Sequence, residues 1–68
     1  MKEIKINTEY ITLGQFLKIA DIISSGGQAK WFLAENEVLV DGEVDARRGR
    51  KLYPGMTIVV LGKSYKIV

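Results

Sequence analysis

Residues 25–42, Ser-Gly-Gly-Gln-Ala-Lys-Trp-Phe-Leu-Ala-Glu-Asn-Glu-Val-Leu-Val-Asp-Gly, decide the fold. Ser25 followed three residues later by Gln28 is a capping box. The serine hydroxyl accepts from the Gln28 amide, and the Gln28 side chain returns to the Ser25 amide. Ala29, Phe32 and Leu33 then fall at i, i+3 and i+4, one apolar helical face. Asn36 stands where a left-handed residue would close that helix. Val38, Leu39 and Val40 read as a short strand. Asp41-Gly42 is a dipeptide favoured by type I′ hairpins, because both central residues need positive φ. A capped helix running into a hairpin needs a floor to pack on, and the rest of the chain supplies one.

Upstream, Glu3 to Ile6 alternates charged and apolar residues, with Ile4 and Ile6 on one face, and reads as an edge strand. Thr12 and Gln15 form a second capping box. Leu13, Phe16, Leu17 and Ala20 follow at helical spacing, so the first helix spans about Leu13 to Ala20, with Gln15 and Lys18 facing outward. Ile22 and Ile23 are expected as buried contacts in the loop before Ser25. Downstream, Glu43 and Val44 return briefly. Asp45 to Lys51 has almost no apolar residue and reads as a loop. Tyr53-Pro54-Gly55-Met56 fits a type II turn, with proline at i+1 and glycine at i+2. Met56 to Leu61 and Ser64 to Val68 make a last hairpin, closed by Gly62-Lys63. Two short helices with narrow apolar faces imply an α+β fold, a two-helix hairpin packed on a small antiparallel sheet, in one domain over residues 1–68. Ala29, Phe32 and Leu33 should meet Leu13, Phe16 and Leu17, with Phe32→Ala costing about 3–5 kcal/mol.

Composition narrows the function. The chain has 68 residues, 47% of them hydrophobic. That suffices for one core, although a domain this small buries only about 60% of its unfolded surface. There is no cysteine and no histidine, so the commonest nucleophilic and acid–base groups are missing and no catalytic residue is assigned. No cofactor or metal is expected. Asp41, Glu43 and Asp45 lack calcium-loop spacing and read as solvated charge. No apolar run reaches membrane-spanning length, and Met1 to Ile6 has no signal-peptide pattern, so a cytoplasmic location is expected. Ten Lys and Arg against eight Asp and Glu leave a net charge of +2. Distribution therefore matters more than the sum.

Ala46-Arg47-Arg48-Gly49-Arg50-Lys51 is the strongest functional signal outside the helix. Arginine forks match phosphate oxygens, and Gly49 lets backbone approach a ligand. The competing reading is a solvated loop balanced by the acids before it. Lys30 projects from the second helix. If it and Lys18 converge with Arg47, Arg48, Arg50 and Lys51, they make the basic footprint of a nucleic-acid surface. Gly26, Gly27 and Gln28 would add open backbone amides at a helix start, where partial positive charge favours phosphate. Arg47 and Arg48 are expected in solvent. Trp31 is expected to pack on the protein ahead of stacking on a base, since large aromatics are mostly buried.

The pattern S-x-x-Q-A-[RK], a helix, then V-x-V-[ND]-G resembles the S-four RNA-binding domain, or αL motif, named after a small-subunit ribosomal protein. Here Ser25, Gln28, Ala29, Lys30, Val38, Val40, Asp41 and Gly42 carry it, with Leu13, Leu17, Leu52, Gly55 and Ile58 around them. Stand-alone bacterial members of the YaaA type look most alike. The resemblance implies a non-catalytic protein that binds structured RNA, ribosomal RNA first, by shape and backbone, in ribosome assembly or translation. Members commonly carry arginine where Gly26 and Thr12 stand, which shifts the weight here to the arginine loop. A monomer is expected. The alternative is a small protein-interaction module, with Trp31 and a sheet edge as its surface and the arginines meeting an acidic partner.

Overall fold

The computed structural model describes residues 1–68. Strands β1 (Lys2–Ile4) and β2 (Ile11–Thr12) precede helix α1 (Leu13–Ile19). A 3₁₀ turn (Gly26–Gln28) leads into helix α2 (Ala29–Glu35). Strands β3 (Val38–Val40), β4 (Glu43–Val44), β5 (Lys51–Leu52), β6 (Thr57–Val60) and β7 (Lys63–Ile67) follow. A five-stranded sheet has the order β1-β7-β6-β3-β4, and β2 pairs with β5 in a separate two-stranded ribbon. Every pairing is antiparallel except β1 with β7, which is parallel. The expected α+β architecture is present, with β1 at the sheet edge. No helix is long and apolar enough to cross a membrane.

The period of two along the strands separates the faces. Val38, Val40, Ile58, Val60, Tyr65, Ile67 and Ile4 are buried, while Lys66 and Thr57 fall between them on the other side. Leu13, Phe16 and Leu17 of α1 and Ala29 and Leu33 of α2 complete the core, and Ile23 seals the connecting loop. The Phe16 ring meets Tyr65 edge-on at 5.2 Å between centroids, a geometry the ring quadrupoles favour. Phe32 is not a central core residue. It is half-buried at the margin of the cluster, because α2 turns Ala29 and Leu33 inward and position 32 swings to its flank.

Both capping regions form, but differently. Thr12 and Gln15 exchange bonds in both directions, at 2.8 and 3.2 Å. At the second site the Ser25 hydroxyl stands in capping-box geometry, yet the Gln28 amide donates to the Ser25 carbonyl at 3.1 Å. The Gln28 carboxamide oxygen instead gathers three donors: the Ser24 amide at 2.7 Å, the Ser24 hydroxyl at 2.9 Å and the Ser25 amide at 3.3 Å. Gln28→Ala should therefore cost about 1 kcal/mol, and Ser25→Ala only a few tenths. Urea melts of the two variants check that order.

Two turn details depart from expectation. Asn36 is extended, at φ −131° and ψ 136°, not left-handed. Its side-chain and backbone amides both donate to the Phe32 carbonyl, at 3.1 and 2.9 Å. The terminal carbonyl is satisfied without a reversal, so the chain runs straight into β3. The last hairpin turns at Leu61-Gly62, both at positive φ, one residue before Gly62-Lys63. The register that sets Ile58 opposite Tyr65 makes Val60 and Lys63 the closing pair, and it holds Leu61 left-handed at a cost of about 1 kcal/mol. Asp41-Gly42 has the expected two positive φ values, 50° and 86°. The Met56 amide bonds the Tyr53 carbonyl at 3.1 Å around left-handed Gly55, as a type II turn requires.

Candidate nucleic-acid interface

The arginine loop is a built structure. At its centre is Asp45, 9% exposed and buried where solvated charge was expected. Its Oδ1 accepts from the Arg47 amide at 2.9 Å and from Arg47 Nε at 3.1 Å. Its Oδ2 accepts from Arg47 Nη2 at 2.9 Å and Arg50 Nη1 at 3.0 Å. The backbone part is an Asx turn, in which aspartate bonds the chain two residues on. The Arg47 guanidinium, above all, holds the Asp45 carboxyl far below the usual carboxylate range, against the opposing effect of burial. Arg47 is thus both exposed, at 72% of its side chain, and engaged. Arg47 is in solvent as expected, and the ion pair with Asp45 is the addition.

The loop docks on α1 through its own backbone. The Arg50 carbonyl accepts from the Leu13 amide at 2.8 Å, and the Arg48 carbonyl accepts from the Gly14 amide at 2.9 Å. These amides open a helix and have no partner within it. Gly14 makes this close approach without crowding. A Cβ there would lie 3.3 Å from the Arg48 carbonyl oxygen, 3.5 Å from Arg48 Cβ and 3.7 Å from Ala29 Cβ. Gly14 therefore marks the point where α1, the arginine loop and the first residue of α2 converge.

Around that point the predicted residues separate into groups. Arg48 is exposed and unpaired, and Lys30 is exposed on α2 beside Ala29. Gly26 and Gly27 are open to solvent, with no side chain crowding them. Gln28 is exposed but its oxygen serves the turn. Lys18 lies one turn after Gly14 on α1 and also lines a groove towards Ile6–Tyr10. Lys51 leaves the arginine cluster, its Nζ 5.0 Å above the Tyr10 ring. Of the ten Lys and Arg side chains, only Arg47 and Arg50 are in ion pairs.

Sequence reasoning missed Asp45 as the organiser and Gly14 as the docking point. The Asp-x-Arg spacing of an Asx turn was the available signal for the first. Trp31 is 69% exposed, which overturns the expectation of packing: α2 spends its inward positions on Ala29 and Leu33. Tyr10 pairs instead with Tyr53, at 5.6 Å between ring centroids.

Residues 4–68 match the S4 domain family. The chain belongs to the S4 domain family. "Probable ribosome maturation protein RlbA" of Bacillus subtilis (strain 168) is 62% identical over 66 residues, covering 96% of this chain and 93% of the relative. "Putative RNA-binding protein YbcJ" of Escherichia coli (strain K12) is 37% identical over 59 residues, covering 87% of this chain and 84% of the relative. The resemblance carried by residues 25–42 is thus a family relationship over nearly the whole chain. No group of His, Cys, Asp or Glu in it is arranged to hold a metal ion.

Proposed function

We propose that this S4 domain is a non-catalytic RNA-binding protein that contacts structured ribosomal RNA during ribosome maturation, in the cytoplasm. The observation that carries the reading is the docking of Arg48 and Arg50 onto the Leu13 and Gly14 amides. It sets a preformed, cation-bearing loop on the start of α1, where Gly14 also comes close to Ala29 at the start of α2. A fixed loop loses little conformational entropy on binding. Arg48, Lys30 and Lys18, with the donors Arg47 leaves free, would meet phosphate oxygens, while Gly26 and Gly27 let RNA backbone come close. Phosphate contacts of this kind position a protein on RNA shape without reading sequence. The names of the two relatives, one a ribosome maturation protein and one RNA-binding, support the same reading.

About four phosphate contacts would give a log–log slope of affinity against salt near −3. Arg48→Ala keeps the backbone bond to Gly14 and removes only an unpaired side chain. It should flatten the slope by about one unit, weaken all structured RNAs alike and leave the melting temperature unchanged. A salt titration of both proteins against one structured ribosomal RNA fragment makes the comparison. Equal slopes would discard the loop as an RNA contact. They would favour the protein-interaction alternative, for which the exposed Trp31 beside half-buried Ile22 and Phe32 is the supporting observation.

A further inference from the structure

The largest concavity of the molecule, about 870 Å³, lies on the other flank of α1, between that helix and residues 5–12. Its wall is apolar where Ile6, Tyr10 and Ile19 line it, and Lys5 and Lys18 stand in the same lining. Ile19 is 54% exposed. The fold itself gives no reason for that exposure, since α1 buries Leu13, Phe16 and Leu17 instead. Lys5 and Lys18 have no carboxylate partner, and Lys51 adds its charge over the Tyr10 ring. Glu9 is the one carboxylate in the lining. A groove with an apolar floor, an aromatic side chain and unpaired ammonium groups has the chemistry of a nucleotide: a flat base against hydrocarbon, a phosphate against lysine.

We infer that this groove takes an unpaired nucleotide, supplied by a single-stranded segment next to the structured element held by the arginine loop. The inference rests on the RNA-binding reading and extends its surface. Lys18 is the link, because it follows Gly14 by one helical turn and lines the groove as well. The domain then recognises a junction between structured and single-stranded RNA, with Arg48 on one side of α1 and Lys5 on the other.

The test uses a short RNA hairpin in two forms, blunt and carrying a five-nucleotide single-stranded extension at each end. The wild-type protein should bind the extended form about tenfold more tightly than the blunt one, the effect of one stacked base. Lys5→Glu, a change on an exposed residue outside the core, should abolish that advantage and leave affinity for the blunt hairpin within about twofold. Ile19→Ser should reduce the advantage without reversing charge. Arg48→Ala should weaken both forms alike. Binding of neither form by the wild-type protein would defeat the RNA reading itself. Equal binding of both forms, or a full advantage retained by Lys5→Glu, would defeat only the groove. A free nucleoside monophosphate should bind no more tightly than millimolar; saturable micromolar binding would overturn the assignment to an RNA strand.

Discussion

Phe16→Ala should leave most of the protein unfolded at growth temperature. Phe16 is fully buried, and its ring lies edge-on to Tyr65, 5.2 Å between centroids, where α1 meets the sheet. Removing a buried phenyl group costs about 3–5 kcal/mol, transfer and cavity together. A domain this small has little more than that in total. Collapse around the gap is restricted, because Leu13, Leu17, Ile58 and Ile67 are themselves fully buried. Phe32→Ala should cost about half as much, since Phe32 sits half in water. Thermal and urea melts followed by circular dichroism give both values. Equal losses at the two positions would mean that α2 anchors the core as much as α1 does.

The second large effect belongs to Asp45. Its four hydrogen bonds come from Arg47 and Arg50, and Asp45→Asn keeps the shape while removing the charge. The loss should be about 2 kcal/mol at neutral pH, the range of hydrogen bonds to a charged group. The pH dependence follows from the lowered carboxyl pKa. Because the folded form holds its proton more weakly than the unfolded chain, the stabilisation is complete above the unfolded pKa. It shrinks as pH falls below about 4, where the unfolded chain binds a proton first. Melting temperatures of wild type and Asp45→Asn should therefore differ at pH 7 and converge in acid. RNA affinity of Asp45→Asn should also fall, although the net positive charge rises, because the arginines lose their mount. A gain in affinity would show that charge alone, not loop geometry, governs binding.

Local chemistry was the legible part. Thr12 with Gln15, Asp41-Gly42 and Pro54-Gly55 each satisfy a backbone requirement within four residues, so spacing along the chain reveals them. Helix faces were legible only in part. Ala29 and Leu33 point inward as their spacing implies, but spacing cannot say that the sheet stops short of Phe32 and Trp31. What depended on contacts distant in sequence was hidden. The burial of Asp45 follows from two arginines folding back on it and from α1 receiving the loop, and acids at alternate positions look the same when solvated. The parallel pairing of β1 likewise needs a partner some sixty residues away in the chain. Of the candidate site, the residue types were foreseeable, whereas the groove around Tyr10 is lined by a segment, residues 7–10, that carries neither helical nor strand spacing.

That parallel pairing also bears on when the protein becomes competent. β7 is the sole neighbour of β1 and also carries Tyr65 and Ile67 into the core. While a nascent chain still has Lys63–Ile67 inside the synthesising ribosome, its first strand has nothing to dock on and Phe16 lacks its aromatic partner. Such distant contacts delay folding until chain closure is possible. The core beneath α1 is complete only once β7 has joined the sheet. Docking of the arginine loop on α1 thereby inherits a dependence on the pairing of the first strand with the last, although none of the loop's own residues takes part in that pairing.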